Sequence, residues 1–163
     1  MKKFSLLFFC LLFSFLFVSC SKEVAYRDDV PCSDISRELC DEADVPGGYS
    51  AYDNDHVAFL FDNTELYDDC SILYSTEVTD INEIGVFHCK NNDEIKALAE
   101  TVSKYISDMQ TEQKAFIESY APREVPKLEN AEVRQYGNYV IYLIISADDK
   151  EDATEKIGEL LIK

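Results

Sequence analysis

His88 stands beside Cys89, and an imidazole next to a thiol is the pairing that turns cysteine into a nucleophile. Ile84 to Lys90 reads as a strand, however, and neighbours in a strand point to opposite faces, so the two side chains cannot share a hydrogen bond there. His56, the other histidine, would have to approach from elsewhere in the fold. A second group with chemical capacity is the acidic stretch Asp53-Asn54-Asp55, Asp62-Asn63 and Asp68-Asp69, whose oxygens suit a hard cation such as calcium. The spacing lacks the D-x-[DN]-x-[DN]-G series and closing Glu of an EF-hand loop. Helix capping and turn formation account for the same residues. The sequence carries no phosphate-cradling glycine loop, no serine elbow and no metalloprotease helix. It therefore assigns no catalytic residue, no metal ligand and no cofactor.

A different chemistry is suggested at the start of the chain. Lys2 and Lys3 precede an apolar run from Phe4 to Val18, followed by Ser19 and Cys20, which is the pattern of a secretory leader. Phe17-Val18-Ser19-Cys20 resembles the lipobox of bacterial lipoproteins, with Phe17 where that family favours Leu. The resemblance implies that residues 1–19 are removed and that the Cys20 thiol carries a diacylglycerol. The alternative, a permanent membrane span, calls for about 20 apolar residues. Two acyl chains give stable anchoring where one gives only marginal binding. Either arrangement leaves the two lysines on the cytoplasmic side and the rest of the chain outside. The expected location is thus the outer face of the cell membrane.

Loss of the leader would shorten 163 residues to 144, the size of one domain. The 15 Lys and Arg would fall to 13 against 32 Asp and Glu, a balance of −19. Nucleic acid is an unsuitable partner for such a surface, because its binding rests on cations that neutralise phosphates. Anionic headgroups repel it for the same reason. Residues 20–30 read as a lipidated polar tether, and residues 31–163 as a single domain.

With Cys10 in the leader and Cys20 acylated, Cys32, Cys40, Cys70 and Cys89 remain. Their spacing fits no zinc pattern. Four cysteines allow three full pairings in an exported domain. Among the open possibilities is a bridge between Cys70 and Cys89, near the open end of a hairpin.

The elements that would position these residues follow from periodicity. Ser33–Cys40 reads as a short helix with Ser33 or Asp34 at its start, and Pro46-Gly47-Gly48 as its end. His56–Leu66 leans helical. Ser71–Val78 and Ile84–Lys90 form a hairpin whose register places Cys70, Ile72, Phe87 and Cys89 on one face. From Asn91 or Asn92, Ile95, Leu98, Ala99, Val102, Ile106, Met109, Phe116 and Ile117 make one inward stripe, which predicts a single long helix ending before Pro122. Glu94 suits a capping box with Asn91. Gly137-Asn138 is a two-residue turn that sets Tyr136 opposite Tyr139 and Val133 opposite Tyr142. The strand after it is apolar on both faces, and the strand before it reads as an edge. A helix containing Ala153, Ile157, Leu160 and Leu161 closes the chain. The expected fold is α+β: a mostly antiparallel four-stranded sheet of two hairpins, with a long amphipathic helix between them and a C-terminal helix.

Taken together, TDINEIGVFHCKNNDEIKALAE, QTEQKAFIESYAPREVPKLENAEV and YGNYVIYLIISADD resemble a family of small lipoproteins of Gram-positive bacteria defined by a domain of unknown function. The resemblance runs over roughly residues 67–161 and brings no catalytic residue with it. Ten tyrosines and no tryptophan are a further feature, since a tyrosine ring can pack while its hydroxyl stays wet. Tyr136 and Tyr139 at one turn, with Tyr49 and Tyr52 beside Gly47-Gly48, are the candidate contact patch. The leading expectation is a non-catalytic binding or scaffolding module of the envelope, held by its lipid and facing an envelope protein or polymer. An extracellular hydrolase acting through carboxylates and a calcium-dependent module are the alternatives.

Overall fold

A computed structural model describes residues 24–43, 47–61 and 63–163. The leader and Cys20 lie outside the described residues, as do Pro46 and Asp62. At the centre is an antiparallel sheet of five strands in the order β1-β2-β3-β5-β4: β1 Tyr49–Ala51, β2 Tyr67–Ser75, β3 Glu83–Cys89, β4 Glu132–Tyr136 and β5 Tyr139–Ile144. The α+β class and the two hairpins match the expectation, and the strand count corrects it. β1 is the additional strand; three residues, Tyr-Ser-Ala, are too few to show an alternation, and they form a strand by pairing with Leu73, Tyr74 and Ser75 of β2.

β5 is buried along all six residues. Tyr139, Ile141 and Leu143 join Leu73, Ile84 and Val86 under helices α1 (Cys32–Glu42) and α6 (Ala147–Leu161). Val140, Tyr142 and Ile144 join Ile72, Phe87 and Cys89 under α2 (Asn54–Leu60) and α3 (Ile95–Asp108). Two helical layers thus cover one sheet, which explains why its central strands are apolar on both sides.

The predicted long helix is interrupted. A 3-10 turn at Asn92–Glu94 precedes α3, and a π-helical turn at Met109–Gln113 separates α3 from α4 (Lys114–Tyr120). In that wider turn Gln110 donates to the Leu128 carbonyl at 2.9 Å, which also accepts from Ala131 N at 3.1 Å, and so ties the turn to the end of α5 (Val125–Glu129). The inward stripe is broken with it: Ile117 is buried and Phe116 is 59 % exposed. α1 starts at Cys32, one residue before the expected range. Its N-cap is Pro31, which has no side-chain acceptor, and Asp69 of β2 accepts the Cys32 N–H at 2.8 Å instead.

Candidate functional site

One end of the sheet gathers the start of the described chain, its end and the β4–β5 turn. Residues 24–30, expected to hang as part of a polar tether, lie on the fold as a strap. Tyr26 forms an antiparallel bridge with Ile162, Arg27 N donates to Leu161 O at 2.7 Å, and Lys163 N donates to Ala25 O at 3.0 Å. Gly137, at φ +58°, lies beneath the strap; a Cβ there would sit 2.8 Å from that of Tyr26. The left-handed turn and the close approach both require glycine at this position. The buried Tyr139 hydroxyl accepts from Val30 N at 3.0 Å and donates to Val30 O at 2.8 Å. Tyr139→Phe leaves both backbone groups short of a partner, and a loss of about 1–3 kcal/mol is expected in urea titrations.

A charged clamp completes the strap. Tyr67 faces Cys89 while Asp69 faces His88, so Asp68 is the extra residue of a bulge. The bulge brings Asp68 Oδ1 to 2.6 Å from His88 Nδ1, and Asp28 Oδ1 of the strap lies 3.0 Å from His88 Nε2. Asn138 Nδ2 donates to the other Asp28 oxygen at 3.0 Å. Ionised carboxylates only accept, so this geometry is met best when both ring nitrogens carry protons. Burial pulls the imidazole pKa down, but the hydrogen bonds and charges of Asp68 and Asp28 outweigh it and leave the pKa above its ordinary value. A raised folded-state pKa gives a contribution to stability that is full below the unfolded value near 6.5 and is lost as pH rises through the folded value. Denaturation of wild type and His88→Asn at a series of pH values should therefore show a wild-type advantage below that window that shrinks above it. A difference independent of pH would refute the charged clamp.

A second polar cluster lies at the other end of β3, on the face toward α3. Glu83 is 6 % exposed and accepts from Tyr142 at 2.7 Å, Tyr105 at 2.8 Å and Tyr52 at 3.1 Å. Burial raises its pKa while the three hydroxyls pull it back; the tyrosines rise in turn through burial and proximity to the carboxylate. Tyr142 sits opposite Gly85 in the register, and its ring crosses that glycine to reach Glu83. The sequence reading missed Glu83 because it started the strand at Ile84. Register was the available signal, since residue 83 shares a face with Phe87 and Cys89.

The four tyrosines singled out from the sequence do not form one surface. Tyr49 and Tyr52 lie at the β1 edge, whereas Tyr136 and Tyr139 belong to β4 and β5 beyond β2 and β3. Tyr52 stacks between His56 at 4.3 Å and Tyr74 at 4.5 Å, and Tyr136 meets Tyr26 edge-on. Tyr139 is buried. Cys70 faces Phe87 and Cys89 faces Tyr67, and Cys32, Cys40, Cys70 and Cys89 are all free thiols. Burial pushes Cys40 up to about 12 and Cys70 to about 11 and raises Cys32 and Cys89, which opposes thiolate formation. Cys89 lies in the core toward α3 while His88 is held by its two aspartates, on opposite faces. In the acidic stretch, Asp53 caps α2 through His56 N at 2.8 Å, Asp68 holds His88 and Asp69 caps α1. Among the described residues no cluster of three His, Cys, Asp or Glu is placed to hold a metal, and no helix is long and apolar enough to cross a membrane.

Two open grooves mark the surface. One, of about 550 Å³, runs beside the strap and is lined by Tyr26, Arg27, Ile95, Gln135, Asn138 and Lys163 among others. The other, of about 650 Å³, lies between β4 and α6. A family model described as "Domain of unknown function (DUF4358)" matches residues 49–145, which takes in all five strands. No curated protein and no solved structure matches the chain.

Proposed function

We propose, from the premise that this chain belongs to the DUF4358 family, that it is a lipid-anchored, non-catalytic binding module on the outer face of the cell membrane. Cys20 is the attachment point, and the partner is an envelope protein or polymer. The observation that carries the reading is the strap. If Cys20 is acylated, only Ser21, Lys22 and Glu23 separate it from a segment fixed to the fold. At about 3.5 Å per residue, that link holds the body within roughly 15 Å of the bilayer surface. The strap end then faces the membrane, and the β2–β3 turn faces away from it. A short link to a docked strap suits a module that presents one surface at a fixed height.

The acidic surface supports the same orientation, since it disfavours lying flat on anionic lipid. The conspicuous carboxylates are occupied structurally: Glu83 by three hydroxyls, Asp28 and Asp68 by His88, and Asp80 by Lys127 at 2.8 Å. The test is fractionation of cells expressing wild type or Cys20→Ala, with protease added to intact cells. Wild type should be membrane-bound and cleaved from outside, and Cys20→Ala should leave that pool. An equal share of both proteins in the membrane would overturn the proposed attachment.

A further inference from the structure

The groove between β4 and α6 is lined by a buried lysine and by unpaired acids of the same helix, and we propose that it binds a small zwitterion, such as an amino acid or an uncapped short peptide. Lys150 would hold the carboxylate; Glu151 and Glu155 would hold the amino group. This goes beyond the anchoring reading and does not depend on it. Lys150 lines the groove but is only 5 % exposed. Its ammonium has three N–H donors, and its one hydrogen bond goes to the backbone carbonyl of Asn130. No carboxylate lies within ion-pair distance of it among the described residues. Its nearest acid from β4, Glu132, is taken by Arg134, whose Nε donates to Glu132 Oε2 at 2.6 Å. Arg134 also donates to Thr154.

Lys150 therefore stands without an acidic partner in a chain with more than twice as many acids as bases. Lys150 also stands in the first turn and a half of α6, where the helix dipole has the same sign as its charge. A buried ammonium with one carbonyl partner costs stability, and a ligand carboxylate would supply the missing acceptors. Glu151 and Glu155 line the same groove and have no ion-pair partner among the described residues. They disfavour a plain anion and suit a ligand that brings its own ammonium. The volume lies within the range of small-molecule sites.

The test is amide NMR titration of the folded protein with glycylglycine, acetate and ethylamine in parallel. Saturable shifts with glycylglycine, centred on residues 130–134 and 147–155, are expected, with much weaker responses to the two half-ligands. Lys150→Met should bind at least about ten-fold more weakly, the loss of one charge-assisted hydrogen bond, while melting at a higher temperature because the buried charge is gone. Glu155→Gln, an exposed change, should weaken glycylglycine but not acetate. Absence of shifts with glycylglycine, equal affinity for acetate, or unchanged binding by Lys150→Met would each overturn the proposal.

Discussion

Gly85→Ala should destabilise the domain by about 3 kcal/mol, at the upper end of overpacking effects. A Cβ at this position would lie 1.9 Å from Cε1 of the Tyr142 ring. That ring has no room to retreat: it is fully buried and its hydroxyl is fixed on Glu83. Two links of the structure therefore meet at one glycine. β3 gives up a side chain in mid-strand so that a tyrosine from β5 can cross it and reach a carboxylate on the far side. Urea titration should show an earlier midpoint at unchanged slope. Gly85→Ala combined with Tyr142→Val should be more stable than the sum of the single effects, because removal of the ring removes the clash. Additive effects would mean that the ring does not lie over Gly85.

Glu83→Ala should cost about 3–5 kcal/mol. Truncation of a buried side chain leaves a cavity, and the loss of this carboxylate also strips the acceptor from three tyrosine hydroxyls, one of them on a residue with no exposure. A buried donor without a partner costs about 1–3 kcal/mol. Tyr142→Phe in the Glu83→Ala background should recover part of that loss, since the phenyl ring has no donor left to satisfy. Tyr142→Phe alone should destabilise, because wild-type Glu83 then loses its closest hydrogen bond. If Tyr142→Phe has the same effect in both backgrounds, the two groups are not coupled and the cluster is not a stabilising network.

Both effects concern residues that the sequence only half reveals. Periodicity marks β5 as a doubly covered strand, and the Gly137-Asn138 turn fixes its pairing, so Tyr136 opposite Tyr139 and Val133 opposite Tyr142 appear as expected. Hairpin parity correctly puts Cys70 and Cys89 toward one face. It does not reveal the bulge at Asp68, since one extra residue leaves no trace in composition, and that residue moves Cys89 from a place opposite Asp68 to one opposite Tyr67, while Cys70 faces Phe87. The strap is hidden for another reason. Val-Ala-Tyr-Arg-Asp-Asp looks like a solvated linker, and it acquires structure only because Ile162, Tyr139 and His88, distant in the chain, offer it partners. Lys150 is hidden by its type: helical spacing aligns it with Ala153, Ile157 and Leu161, but a lysine reads as a surface residue until α6 packs against β4 and buries it. Local rules thus identify elements and registers, while the buried polar clusters depend on contacts between segments.

The most direct measurement is the intact mass of full-length protein extracted from its native membrane. Residues 20–163 carrying an added diacylglyceryl group are the predicted species. A mass equal to residues 1–163, or to a processed chain with no acyl addition, would contradict the proposal that a lipid on Cys20 holds this module at the cell surface.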